Sequence, residues 1–120
     1  KGLYVFLDGV FGHTHVNGVK PSPTGKLPTL YSESGYPGMY VSYPDQASED
    51  FFTEVATYWV TEFAIDGWRL DQAYQLPLDS WRRIRAAVEQ AAAENKLPGR
   101  DAHFDFIRIQ RQFFRHARGV

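Results

Sequence analysis

The chain has 120 residues, enough for one compact domain at most. Its 43% hydrophobic and 16% aromatic content can fill a core, which excludes wholesale disorder. The formal charge of −1 divides unevenly: residues 1–66 carry three bases and eight acids, residues 67–120 ten bases and six acids, so a uniform basic coat for nucleic acid is excluded.

The sequence has no cysteine, so disulfide frameworks and thiolate metal sites are excluded as well. The longest apolar run, Leu3–Leu7, is far too short to span a membrane. No secretory signal is visible, and compartment and oligomeric state stay open. The chain begins at Lys1, directly on that apolar run and without Met, which reads as a cut ahead of a strand.

The stretch GLYVFLD (Gly2–Asp8) is a near-continuous apolar run ending in an acid. That pattern predicts a strand buried on both faces, as in parallel sheets. Residues 9–46 hold five of the seven prolines and show no sustained periodicity, so they read as a long functional loop folded over a site. From Ser48 to Phe63 the residues Phe51, Phe52, Val55, Ala56, Trp59, Val60 and Phe63 follow a 3.6-residue period. They predict a helix with Ser48 as its N-cap and Glu49 and Asp50 in its first turn. Asp66–Asp71 (DGWRLD) reads as a short strand. Pro77 interrupts the chain. Asp79 or Ser80 then caps a second helix with Trp81, Ile84, Val88 and Ala91 on one face, ended by Pro98-Gly99.

Strand, loop, helix, strand, helix predicts parallel βαβ units with both strand carboxyl ends at one edge, where ligands bind in such sheets. In the tail, Phe104-Asp105-Phe106 fits a strand while Phe106, Ile109 and Phe113 fit a helix. Both stay open. Four arginines (Arg108, Arg111, Arg115 and Arg118) at three- to four-residue spacing fit a solvated helix face better than a nucleic-acid or membrane contact.

Alternation along the second strand puts Gly67, Arg69 and Asp71 on one face and Trp68 and Leu70 on the other. Arg69 then places a cation beside the Asp71 carboxylate, which favours its ionised form. An ionised, oriented carboxylate suits a nucleophile or an electrostatic stabiliser, although a buried pair fixing sheet geometry gives the same spacing. Asp8 ends the first strand and His13 follows five residues later. Together, Asp8, His13, Arg69 and Asp71 suit a polyhydroxyl ligand, because each sugar hydroxyl both donates and accepts. His13 and His15 alone make half a metal site, and no further His lies near them, so no metal is expected.

FAIDGWRLDQA resembles the second signature motif of the α-amylase superfamily, glycoside hydrolase family 13. LDGVFGHTH resembles that family's first motif. VATYWVTEF and SWRRIRAAV are similar to the neopullulanase and maltogenic-amylase subgroup. The resemblance covers about residues 2–92. It implies an α/β fold that is a fragment of a (β/α)8 TIM barrel, from about strand 3 to helix 4. Residues 1–98 would be the partial catalytic barrel, residues 9–46 the inserted small domain, and residues 99–120 a basic tail of uncertain structure.

The resemblance also implies a retaining enzyme acting on α-glucans or maltooligosaccharides. Asp71 matches the nucleophile and Arg69 the residue that orients it. Asp8 and His13 match residues that bind the glucosyl unit. Tyr74 and Gln75 fall on the acceptor side, where the family often places Lys-His or Asn-Glu, so substrate preference is not carried over. The motif's Asn, a calcium ligand in many members, is Gly12 here, so neither calcium nor another cofactor is carried over. The family's general acid is a Glu ending the next strand, and no Glu follows Glu94. The fragment is therefore expected to be inactive alone. The match fades near residues 92–98, a pattern expected of a shifted reading frame or a divergent truncated gene.

The alternative is a non-catalytic carbohydrate-binding module or pseudoenzyme. In it Trp68, Tyr31, Tyr36, Tyr40 and Tyr43 stack on sugar rings. Trp68 as barrel packing, with the tyrosines holding the loop, is the simpler expectation.

Overall fold

A computed structural model describes residues 3–94 and 105–108 of the chain. Strand β1 (Phe6–Gly9) opens the fold. An excursion follows with three short strands, β2 (His13–Thr14), β3 (Leu30–Tyr31) and β4 (Met39–Val41). Helix α1 (Gln46–Phe63), strand β5 (Gly67–Leu70), a 3-10 turn over Ala73–Gln75, helix α2 (Leu78–Glu94) and strand β6 (Asp105–Arg108) complete the order.

Two sheets result among the described residues. β1, β5 and β6 lie side by side and parallel, with Asp8 opposite Arg69 and Arg69 opposite Ile107. β2, β4 and β3 form an antiparallel sheet inside the excursion. The predicted parallel pairing is therefore present, and the loop over residues 9–46 contains a small sheet. Its strands are two or three residues long, too short to leave a periodicity in the sequence. In the tail, residues 105–108 take the strand alternative. The readings placed on residues 95–104 and 109–120, including the Pro98-Gly99 stop and the arginine helix, lie outside the described residues.

The core fills the space between the parallel sheet and the two helices. Phe11, just beyond β1, is its hub: the ring packs against Phe52 at 4.9 Å, Trp68 at 5.5 Å and Trp81 at 5.8 Å between centroids. Gly9 permits this approach, because a Cβ there would stand 3.0 Å from the Phe11 ring and 3.1 Å from that of Trp68. Ile84 and Val88 of α2 are fully buried, as the predicted helix face requires.

Helix α1 begins earlier than Ser48. Asp45 occupies the N-cap with extended backbone, and its carboxylate accepts the Ser42 hydroxyl instead of a helix N–H. Ser48 is buried inside the first turn, where its hydroxyl accepts the Thr29 N–H at 3.0 Å and tethers the excursion to the helix. A hydroxyl with a partner across the fold has no need to cap its own helix. Trp59 and Phe63 also depart from the expected apolar face: they are 36% and 59% exposed and stack on each other at 5.0 Å. Val10, in a cleft with Val55 and Trp59 of α1, is exposed as well, so this flank of the helix is an open apolar face. Leu3, Tyr4 and Val5 are exposed too and precede β1, so the run expected to form a strand from Gly2 buried on both faces pairs only from Phe6.

Ala64 closes α1 in the left-handed conformation (φ 52°, ψ 43°), with its N–H on the Val60 carbonyl. A β-carbon is disfavoured there, and glycine is the usual occupant. Ala64→Gly is expected to raise stability by about 0.5–1 kcal/mol, read from the urea midpoint.

The two helices are joined by Glu49 and Arg83. Arg83 donates through Nε at 2.6 Å and Nη2 at 2.8 Å, a bidentate pair on a carboxylate that is only 8% exposed. Arg83 holds the Glu49 carboxyl below the usual carboxylate range, and Ser80 adds to the effect against the opposing cost of burial. A lowered folded-state pKa contributes stability above the unfolded-state pKa, and that stability is lost as pH falls through the folded-state value. Glu49→Gln should therefore cost about 1 kcal/mol near neutrality, since the Arg83 side is open to solvent. The cost should shrink as pH drops through the carboxylate range, measured by urea denaturation at several pH values.

Candidate active site

The parallel register brings the predicted residues to one edge. Asp8 on β1 and Arg69 on β5 are direct neighbours across the strands, and Asp71 extends the ladder by donating its N–H to the Gly9 carbonyl at 2.9 Å. Arg69 Nη1 donates to Asp8 Oδ1 at 2.6 Å and lies 3.6 Å from Asp71 Oδ1. One guanidinium nitrogen thus stands between two carboxylates. The closer contact goes to Asp8, whereas strand alternation pointed first to Asp71. Alternation describes one strand, and the nearer carboxylate belongs to the adjacent one. The bond to Asp8 raises the Arg69 pKa further, with Asp71 adding to the charge attraction, so the cation is permanent.

Asp71 is the least exposed of the three side chains at 30%, against 41% for Arg69 and 62% for Asp8. Asp66, the first acid of DGWRLD, is at the opposite end of the sheet. Its carboxylate accepts the Val5 N–H at 2.8 Å and its own N–H donates to the Val5 carbonyl. The two acids of that motif therefore do different work: Asp66 fixes the amino ends of the strands, and Asp71 faces the site.

Immediately after Asp71 the backbone turns sharply. Gln72 is left-handed (φ 47°, ψ 53°), a conformation costly for a residue with a side chain, and it starts the 3-10 turn. The turn is pinned from below by Trp81, whose Nε1 donates to the Ala73 carbonyl at 2.6 Å. This geometry brings Tyr74 and Gln75 back toward the excursion. Gln75 Oε1 meets His13 Nδ1 at 2.8 Å, and the Tyr74 hydroxyl donates to Gln72 Oε1 at 3.1 Å.

The tyrosines divide into two groups. Tyr43 is buried, its hydroxyl on the Phe11 carbonyl at 2.7 Å, and Trp68 is buried with its Nε1 on the Ala56 carbonyl at 3.1 Å. Neither offers a ring face to a ligand. Tyr31, Tyr40 and Tyr36 instead form a row with centroids 5.7 and 4.8 Å apart, and Tyr36 meets the His13 ring edge-on at 6.0 Å. Desolvation, then Glu33 and the phenols of Tyr36, Tyr74 and Tyr31, raise the Tyr40 pKa. Through His13, which touches both Tyr36 and Gln75, the row ends beside the 3-10 turn.

Gly12 lies beside this junction and has no side-chain oxygen, and Gln75 fills the adjoining space. The residues present do not fit a calcium ion there. Among the described residues no three His, Asp or Glu side chains stand together as a metal site. No described helix is long and apolar enough to cross a membrane.

Sequence reading missed two features: the left-handed Gln72 and the contact of Gln75 with Gly12. Both follow from a turn that brings together residues far apart in the chain, and no local spacing signals it.

A cyclomaltodextrinase from a Bacillus species is 26% identical over 136 aligned residues, 92% of this chain and 24% of the relative. A maltogenic α-amylase from Bacillus acidopullulyticus is 31% identical over 74% of this chain and 19% of its own length. Among solved structures, AmyP in complex with maltose superposes with a TM-score of 0.65 at 54% identity, over 78% of this chain and 17% of that one. The chain is related to the α-amylase family, glycoside hydrolase family 13. The match to AmyP extends to a Glu-to-Gln variant in complex with maltotriose. No family model matches the chain. The chain spans about a quarter or less of these α-amylase relatives. The relatives are glycoside hydrolases of TIM-barrel fold, and the described part of this chain is a small α/β unit.

Proposed function

We propose that this chain forms the nucleophile side of the active site of a retaining α-glucan hydrolase. The observation that carries the reading is the pair of carboxylates, Asp8 and Asp71, held on the Arg69 guanidinium at the carboxyl edge of parallel strands. Functional residues of (β/α)8 barrels occupy that edge. In this reading residues 1–98 are strand 3 to helix 4 of a barrel, and residues 9–46 are its small inserted domain. Parallel neighbours in chain order, β1 beside β5 beside β6, support it, since barrel strands follow one another in that way. The open flank of α1 is the face on which a preceding barrel unit would pack.

Asp71 acts as the nucleophile. Its carboxylate oxygen bonds to the anomeric carbon as the bond to the leaving sugar oxygen breaks, and a general acid protonates that oxygen. Water then attacks the anomeric carbon of the β-glucosyl ester, giving its proton to the same acid/base group, and Asp71 leaves as carboxylate with the configuration retained. Arg69 orients Asp71. Asp8 and His13 bind the glucosyl unit, and Tyr74 and Gln75 line the acceptor side. Maltooligosaccharides are the substrate class, supported by the maltose and maltotriose complexes of AmyP.

The general acid is not supplied by this sequence. β6, the neighbour of β5, reads Asp105-Phe106-Ile107-Arg108, and the last Glu of the chain is Glu94. Purified alone, the chain is therefore expected to release no sugar from maltotriose, assayed by chromatography of the products. Measurable turnover would sink the fragment part of the proposal. The second reading, a site used only to bind sugar, is favoured by the tyrosine row beside His13. Saturable maltotriose binding without cleavage in the intact protein would select it.

A further inference from the structure

Gly12 lies outside the left-handed backbone region, so its lack of a side chain is not a matter of φ. It is a matter of space. A Cβ at this position would press onto Gln75 Cβ and Oε1 and stand 2.9 Å from Gln75 Cδ. Gln75 Cβ cannot swing away, because the 3-10 turn that carries it is fixed by the Gln75 N–H on the Gln72 carbonyl at 3.0 Å and by Trp81 on Ala73. The same Gln75 side chain reaches His13, 62 residues away in sequence, and meets Nδ1 at 2.8 Å. The Tyr36 ring, edge-on at 86°, holds the imidazole from another side.

We propose that Gln75 is a positioning residue that fixes His13 with its proton on Nδ1 and leaves Nε2 for a sugar hydroxyl, and that Gly12 is the glycine that lets it reach. An amide oxygen can only accept, so Nδ1 must donate to it. In the neutral imidazole Nε2 then carries a lone pair. Nε2 makes no hydrogen bond among the described residues, and a hydroxyl can donate to it. The two departures from the family motif, Gly for Asn at position 12 and Tyr-Gln at positions 74 and 75, thereby become one coupled change. The inference rests on the reading of His13 as a glucosyl-binding residue, and deepens it.

The test uses the full 120-residue chain labelled with ¹⁵N. Long-range ¹H–¹⁵N spectra of the imidazoles are recorded at pH 8, above the usual histidine range. His13 is identified by the signal lost in His13→Gln. The expected result is a pure Nδ1–H form of His13 in the native chain. Gln75→Glu, which keeps an oxygen acceptor, should retain the Nδ1 proton, and Gln75→Ala should release the ring to a mixture of both forms. A packing role alone would not move the tautomer.

Calorimetric affinity for maltotriose is expected to fall roughly ten-fold in Gln75→Ala, the effect of one hydrogen bond. Gly12→Asn should cost more on its own than in the Gln75→Ala background, the mark of two side chains competing for one space. A His13 protonated on Nε2 in the native chain overturns the proposal, even where Gln75→Ala fails to fold. A tautomer unmoved by Gln75→Ala overturns it too. The expected tautomers without maltotriose binding would support the Gln75 clamp and sink the sugar-binding reading of His13.

Discussion

On the proposed assignment, replacing Asp71 by Asn in the intact protein carrying this segment should lower kcat on maltooligosaccharides by about 10⁴-fold or more, with the fold unchanged. The amide is isosteric with the carboxylate, and the backbone bond from the residue 71 N–H to the Gly9 carbonyl does not involve the side chain. Arg69 is not left without a charge partner, because its shorter contact, 2.6 Å, is to Asp8. The variant therefore removes the proposed nucleophile and leaves the ion pair beside it.

Asp8→Asn should behave differently. It takes away the nearer carboxylate, leaves Asp71 as the charged neighbour of Arg69, and on the proposed assignment weakens the grip on the glucosyl unit. A raised KM with a smaller loss in kcat is expected. If Asp71→Asn keeps activity within ten-fold, or if Asp8→Asn matches it in kcat with KM unchanged, the assignment of roles is wrong. Urea midpoints of both variants, compared with the native protein, separate these outcomes from loss of fold.

Much of the parallel sheet was legible because its strands carry their signal locally. GLYVFLD is apolar up to its closing acid and contains β1, although only Phe6–Gly9 pair and the expected cover on both faces is missing at the exposed Leu3–Val5. In GWRL the alternation assigned Trp68 and Leu70 to the core and Arg69 to the site face, and the structure agrees. The α2 face of Trp81, Ile84, Val88 and Ala91 was equally plain, because apolar residues recurring every 3.6 positions line up only on a helix.

The illegible parts share a different cause. The three strands of the excursion are too short for alternation to mean anything. Ser48 has the chemistry of a cap, but its partner is Thr29, which no window around the helix contains. Trp59 and Phe63 obey the helical period and are still exposed, since periodicity records which face is apolar and not whether anything covers it. At the candidate site the sequence supplied the residue types, and the family resemblance supplied their expected roles. The sharing of Arg69 between two strands and the reach of Gln75 to His13 depend on register and on one left-handed residue, Gln72, neither of which local spacing encodes.

Trp68→Ala is the stability counterpart of Asp71→Asn, and it decides whether this ring belongs to the core or to a sugar platform. Trp68 is 3% exposed, lies edge-on to Phe11 at 5.5 Å and donates from Nε1 to the Ala56 carbonyl at 3.1 Å, bridging β5 to α1. A Cβ at position 9 would also stand only 3.1 Å from its ring, so sheet, hub and helix meet on one side chain. Truncation removes the transfer energy of a large aromatic and leaves a cavity, about 3–5 kcal/mol together. Against a typical domain stability of about 5–15 kcal/mol, that loss consumes much of the total, and more in a unit with an open apolar flank. Trp68→Ala should thus shift the urea midpoint strongly and flatten the near-ultraviolet circular dichroism. Tyr40→Ala, in the half-buried row beside the site, should leave both nearly unchanged and act on maltotriose affinity instead. An unmoved urea midpoint in Trp68→Ala, accompanied by lost sugar binding, would return the ring to the ligand and contradict the core described here.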